Sequence, residues 1–111
     1  MDLRQKGVVL LSYPFSDIKK RKVRPAVIVS NNVLNKKSDD CIMVPLTTVI
    51  KDEPYSVLIS QRDLAFGKLI KLSRIRVDKI FSVEKKLILK KIGILNDKTF
   101  AKVKREIAKM F

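Results

Sequence analysis

Five side chains in this sequence are of types, and at strand-end positions, that could do chemistry on an anion. Arg24 precedes Pro25, and the residue before a proline is biased toward extended backbone, which sets its guanidinium at the mouth of a strand. Thr47 and Thr48 close an apolar run that begins at Cys41. Arg76 and Asp78 stand two residues apart in an alternating segment from Ser73 to Phe81, a spacing that puts both on one face. A guanidinium keeps its charge at any relevant pH, and its planar fork matches two oxygens of a phosphate. A threonine hydroxyl can donate to another oxygen, and a carboxylate can take up a proton. Taken singly, each residue also has an ordinary reading: a surface charge, a strand-end turn, an exposed ion pair.

What is missing narrows the chemistry. The sequence has no histidine, so the usual side chain for proton transfer near neutrality is absent, and so is any His-ligated metal site. Asp39-Asp40 and Asp52-Glu53 are adjacent acids in polar turns rather than carboxylates converging from separate elements, as a magnesium site would require. Gly7, Gly67 and Gly93 are isolated, so no glycine-rich phosphate loop is present. Metal and cofactor are therefore both expected to be none. The single cysteine, Cys41, lies in an apolar run and reads as a core thiol.

The charge balance points to a polyanion. Lys and Arg number 25 against 11 acids, a net of +14, and self-repulsion of that size opposes compaction. A lysine-rich proteome would give the same totals, but five of the seven residues from Ile18 to Arg24 are basic with no acid among them. With 111 residues the chain suits one domain, residues 1–111. No stretch reads as a membrane span or a cleavable leader, so a cytoplasmic, reducing setting is expected.

The elements that must position these residues read as short strands. Val8 to Tyr13 is the first, broken by Pro14, and Ala26 to Ser30 is a run that Pro25 would open. Cys41 to Thr47 follows, with Pro45 marking an edge or bulge. Tyr55 to Ser60 alternates, Gln61 to Phe66 reads as a turn or helical segment, and Lys68 to Leu72 as a further strand. Leu87 to Ile92, ended by Gly93, is open between a short helix and a last strand. Phe100, Val103, Ile107 and Met110 recur at helical spacing, with Asn96 or Asp97 as the N-cap. Lys98, Lys102, Arg105 and Lys109 fall on the other faces of that helix, where a solvated surface is the simplest reading. The class is mainly β, a small barrel with an amphipathic C-terminal helix.

Four blocks carry a resemblance. They are Gly7-Val8-Val9-Leu10-Leu11-Ser12-Tyr13-Pro14-Phe15-Ser16-Asp17, Arg24-Pro25-Ala26-Val27-Ile28-Val29-Ser30-Asn31, Val44-Pro45-Leu46-Thr47-Thr48, and Ser73-Arg74-Ile75-Arg76-Val77-Asp78-Lys79-Ile80. In order and at compatible spacing, they resemble the MazF/PemK-like toxin family over nearly the whole chain. One position departs from it: the acid that usually follows the opening glycine is Val8 here. The resemblance implies an SH3-like small β-barrel of the MazF/CcdB type with short helices, assembled as a homodimer. It implies a metal-independent endoribonuclease toxin that cuts single-stranded RNA by 2′-hydroxyl attack, leaving a cyclic phosphate and a 5′-hydroxyl. The implied partners are mRNA and a cognate acidic antitoxin.

Residue by residue, the resemblance places the family's Arg-Pro arginine on Arg24, its threonine on Thr47 and an Arg-x-Asp pair on Arg76 and Asp78. Arg24 suits an electrostatic clamp better than a general acid, because its pKa lies far above neutrality. Asp78 is the carboxylate best placed to accept a proton. Phe15, Lys20, Arg21, Lys22, Thr48, Ser73 and Arg74 are the expected RNA contacts. Two alternatives are a CcdB-like toxin acting on gyrase, disfavoured because there is no tryptophan near the C-terminus, and a non-enzymatic SH3-like RNA-binding module.

Overall fold

The computed structural model describes residues 2–14 and 21–111. Its strands are β1 (Gly7–Pro14), β2 (Arg21–Ile28), β3 (Asp40–Thr47), β4 (Ser56–Ile59), β5 (Leu64–Gly67), β6 (Ser73–Arg76), β7 (Phe81–Glu84) and β8 (Ile88–Leu95). A short helix, α1 (Asn32–Lys37), precedes β3, and α2 (Asp97–Lys109) follows β8. All pairings are antiparallel. The curled sheet runs β4-β6-β3-β2-β1-β8-β5, with β7 on β3 beside β6. This is the mainly β, SH3-like small barrel with one long C-terminal helix.

The apolar runs of β1 to β3 lack polar alternation because both faces of these strands are covered. Val8, Val27, Val44 and Leu46 face a core that Val57, Ile59, Ile75, Val77, Leu95, Phe100 and Val103 complete. Val9, Leu11, Ala26, Ile28, Cys41 and Met43 face the opposite side, against Val83 and Ile88. The α2 helix seals the first core with Phe100 and Val103. Asn96 is its N-cap, its side chain accepting from the Thr99 N–H at 2.8 Å. Cys41 is fully buried, and burial pushes its thiol pKa up, which makes it a core group.

Several boundaries differ from the sequence reading, each for a physical reason. The second strand begins at Arg21 rather than Pro25, so Pro25 sits inside it. Proline is tolerated there because β2 pairs with β3 only from Ala26 onward, leaving that edge open at Pro25. Arg21 and Lys22 belong to this strand and not to a loop; Phe15 and Lys20 lie outside the described residues. The segment 68–72 is a connection, with Ile70 87% and Leu72 48% exposed. Gln61 holds its start, donating to the Gly67 carbonyl at 3.0 Å and accepting from the Leu69 N–H at 2.7 Å. The Ser73–Phe81 alternation ends at Arg76, where a 3-10 turn, Val77–Lys79, intervenes before β7.

The last strand runs through Gly93 instead of ending there. Gly93 is needed for close approach, since a Cβ on it would sit 2.8 Å from the Phe66 carbonyl oxygen; on the facing strand a Cβ on Gly67, at φ +94°, would sit 2.2 Å from the Ile92 carbonyl oxygen. The α1 helix, absent from the sequence reading, starts at an Asn31 cap. It docks through the buried Ser30–Asn35 hydrogen bond, and the Asn35 amide also donates to the Ser30 carbonyl at 2.8 Å.

Candidate active site

Register explains how the first two residues meet. Strands β2 and β3 pair through Ile28–Met43, Val27–Val44 and Ala26–Pro45. Continued by two steps, the same register sets Arg24 opposite Thr47. The ladder stops first, because Pro25 has no N–H to give. On β3 the opposite edge also changes partner nearby, from β7 at residues 40–43 to β6 at Leu46 and Thr47. Two prolines thus sit where the sheet opens, and a cleft occupies the opening.

That cleft, about 720 Å³, is lined by Arg24, Thr47, Arg76 and Asp78. Its apolar floor comes from Leu11, Ala26, Pro45 and Leu46, and its far wall from Lys79, Ile80 and Phe81. Side chains directly opposite one another in a sheet share a face, so Arg24 rises beside its β1 partner Leu11. Phe81 rises beside its β3 partner Met43. A second groove, sharing Arg24, Pro25, Leu46 and Thr47, continues past the opening toward Val23, Thr48 and Ser73.

The polar groups of the cleft are set for anion binding. Thr47 Oγ1 accepts from the Val49 N–H at 3.1 Å, which fixes the rotamer and leaves the hydroxyl proton for another acceptor. Arg76 donates through Nε to Asp78 Oδ1 at 2.9 Å and through Nη2 to Oδ2 at 2.7 Å. Each group exposes only about a quarter of its side chain, 26% and 28%. The bidentate contact leaves Nη1 and one Nη2 hydrogen for a ligand.

This pairing changes the reading of Asp78. The Arg76 hydrogen bond holds the Asp78 carboxyl below the ordinary carboxylate range, overcoming an opposing push from burial, and Arg76 is raised in turn. A base works best with a pKa near the operating pH. Asp78 is therefore better suited to fixing Arg76 than to taking a proton. The sign follows: a lowered carboxylate pKa gives stability that is present above the unfolded value and lost as pH falls through the folded one. Between pH ~5 and ~8 Asp78 stays ionised, so cleavage in that window is expected to show no acid limb that Asp78→Asn abolishes. A wild-type limb near pH ~6 that vanished in Asp78→Asn would reinstate the carboxylate as the base.

The remaining residues are placed unequally. Thr48 is exposed and lines the second groove. Ser73 reaches the same groove while nearly buried, donating its hydroxyl to the Lys71 carbonyl at 3.0 Å. Arg74 is not brought into the cleft: its Nη1 donates to Ser56 Oγ at 3.1 Å, 3.7 Å from Asp52. Ile80, which the alternation puts on one face with Arg76 and Asp78, and Phe81, an aromatic candidate for base stacking, both line the cleft, where the 3-10 turn leads the chain into β7. Among the described residues, no three His, Cys, Asp or Glu side chains are grouped so as to hold a metal. Among them also, no helix is long and apolar enough to cross a membrane.

Comparison with known proteins agrees with this architecture. No curated protein matches the chain by sequence. Among solved structures, an endoribonuclease in complex with its cognate antitoxin from a mycobacterial species superposes with a TM-score of 0.80 at 21% identity, covering 96% of this chain and 92% of that one. A MazE–MazF complex from Deinococcus radiodurans gives a TM-score of 0.82 at 14% identity, covering 99% and 96%. The Mycobacterium tuberculosis toxin MazF-mt6 gives 0.75 at 17% identity, covering 93% of each chain. At these identities the likeness is one of fold. Residues 4–111 match the model of the PemK-like, MazF-like toxins of type II toxin–antitoxin systems, and the chain belongs to that family.

Proposed function

We propose that this protein is a metal-independent endoribonuclease toxin that cuts single-stranded RNA in the cytoplasm, as a homodimer of single-domain chains restrained by an acidic antitoxin. The observation that carries this reading is the set of two guanidiniums and one hydroxyl lining a single cleft in a chain of net charge +14. The endoribonuclease and MazE–MazF relatives point the same way.

In the proposed reaction the ribose 2′-oxygen attacks the adjacent phosphorus. Its proton leaves to a non-bridging phosphate oxygen or to solvent, the bond to the 5′-oxygen breaks, and the departing 5′-oxygen takes up a proton from that phosphate oxygen or from solvent. The products are a 2′,3′-cyclic phosphate and a 5′-hydroxyl. Negative charge builds on the phosphorane oxygens, and Arg24 and Arg76 stabilise it in place, with Thr47 donating to a third oxygen. Asp78 keeps Arg76 oriented without itself changing protonation.

Primer extension on a long RNA incubated with the protein and excess EDTA tests this. Discrete stops at a short recurring sequence, unchanged by EDTA, are the expected result. Intact RNA, or cleavage that only added magnesium restores, would refute it.

A further inference from the structure

We propose that the groove between β4 and α2 is a second phosphate-binding subsite, holding the RNA strand after it leaves the cleft. This rests on the endoribonuclease reading above. The groove, about 420 Å³, is lined by Ser56, Val57 and Leu58 of the edge strand β4 on one side and by Lys102, Arg105, Glu106 and Lys109 on the other. Lys98, Lys102, Arg105 and Lys109 are spaced by four, three and four residues, so they form one row down the helix, about 16 Å long at 1.5 Å per residue.

Continuity with the cleft distinguishes this row from an ordinary solvated face. Leu46, Ile75 and Val57 are cross-strand partners on β3, β6 and β4, and all three face the core. One residue along, Thr47, Arg74 and Leu58 are partners on the opposite face. Arg76 and Ser56 pair on that same face. This face therefore runs from Thr47 in the cleft, across Arg74, to Leu58 on the edge strand β4, and the row of α2 lies round that edge on the core side, where a bound strand reaches it by turning past β4. The step is two strand spacings, about 10 Å in all, within reach of the next nucleotides of a bound strand.

Arg74 gains a role from this path. Its side chain is only 11% exposed, and among the described residues its buried Nε has no hydrogen-bond partner. It lies under the route and adds positive potential from below. The acids nearby are Asp52, 3.7 Å from Arg74 and fully exposed, Glu53, and Glu106, paired with Lys109 at 2.7 Å. Among the described residues neither Lys102 nor Arg105 has an ion-pair partner, so these two carry the subsite.

The test measures binding, so it does not depend on cleavage. Labelled RNAs of about 4 and about 12 nucleotides, 2′-O-methylated throughout so that no 2′-hydroxyl can attack, are titrated against wild type and Lys102→Gln/Arg105→Gln by fluorescence anisotropy at several salt concentrations. The longer strand is expected to lose roughly tenfold in affinity, its log–log salt slope shrinking by about 1.4, for two phosphates at about 0.7 each. The ratio of long to short affinity falls accordingly. Lys36→Gln/Lys37→Gln, on α1, controls for net charge and is expected to leave that ratio unchanged. Equal loss on both lengths, or no loss on either, overturns the subsite. So does a loss confined to a labelled glutamate peptide, which would make the groove a protein-docking surface. Failure of the endoribonuclease reading shows separately, as intact RNA in primer extension.

Discussion

Replacing Arg24 with alanine is expected to slow RNA cleavage by about 10²–10³-fold while the fold survives. The reason lies in where the side chain stands. Arg24 lies immediately before Pro25, which ends the β2–β3 ladder, at the position that faces Thr47 in continued register. Its backbone pairs with Leu11 of β1, so removing the side chain leaves the strand in place. Arg76 lines the same cleft, but it is engaged by Asp78 and cannot move to cover the loss. Arg24→Lys is expected to recover little, because an ammonium is a point charge without the planar fork that meets two oxygens. Thr47→Ala is expected to cost about 10²-fold, since it deletes one donor to a phosphorane oxygen. Initial rates on a fluorogenic oligoribonucleotide, with circular dichroism as the fold control, measure both. A well-folded Arg24→Ala variant at full rate would remove that residue from the mechanism.

The same region shows what a sequence can and cannot disclose. The dipeptide Arg24-Pro25 and the terminus of the Cys41–Thr47 run were visible as strand-end features. The reason they meet was not. Seeing it requires the β2–β3 register, and register is set by non-local pairing that no local spacing encodes. Pro25 lies inside β2 although its local chemistry fits a strand opening or an edge equally well; only the missing β3 partner decides. Asp78 was legible as a face-sharing partner of Arg76, but not as a carboxylate with both oxygens engaged, which depends on the turn that ends β6. Lys68 to Leu72 has the apolar content of a strand but is a connection, because apolar residues predict burial only where a neighbour exists. The α2 helix was read correctly because its apolar period and cap are local signals.

Phe100→Ala is expected to destabilise the protein by about 3–5 kcal/mol. Phe100 is 3% exposed and fills the space between α2 and the sheet, in a core with Val57, Val77, Leu95 and Val103. Alanine favours helix, so the loss comes from packing and the cavity left behind. The neighbours come from the strands, the 3-10 turn and α2 itself and are packed against one another, so they fill that space only in part. For a domain of this size the melting temperature should fall by roughly 10–20 °C, measured by thermal unfolding. A fall of under about 3 °C would mean that α2 contributes little to the core.

The central claim is that Arg24, Thr47 and Arg76 close on one phosphodiester. A structure of the protein bound to an oligoribonucleotide with a single 2′-deoxy nucleotide at the cut site tests it most directly, because removing that hydroxyl blocks attack without altering the phosphate. The phosphate 3′ to the substituted sugar should lie in the cleft, with Arg24 and Thr47 both in hydrogen-bond contact with its oxygens. A strand bound elsewhere, with that phosphate touching neither residue, would contradict the claim.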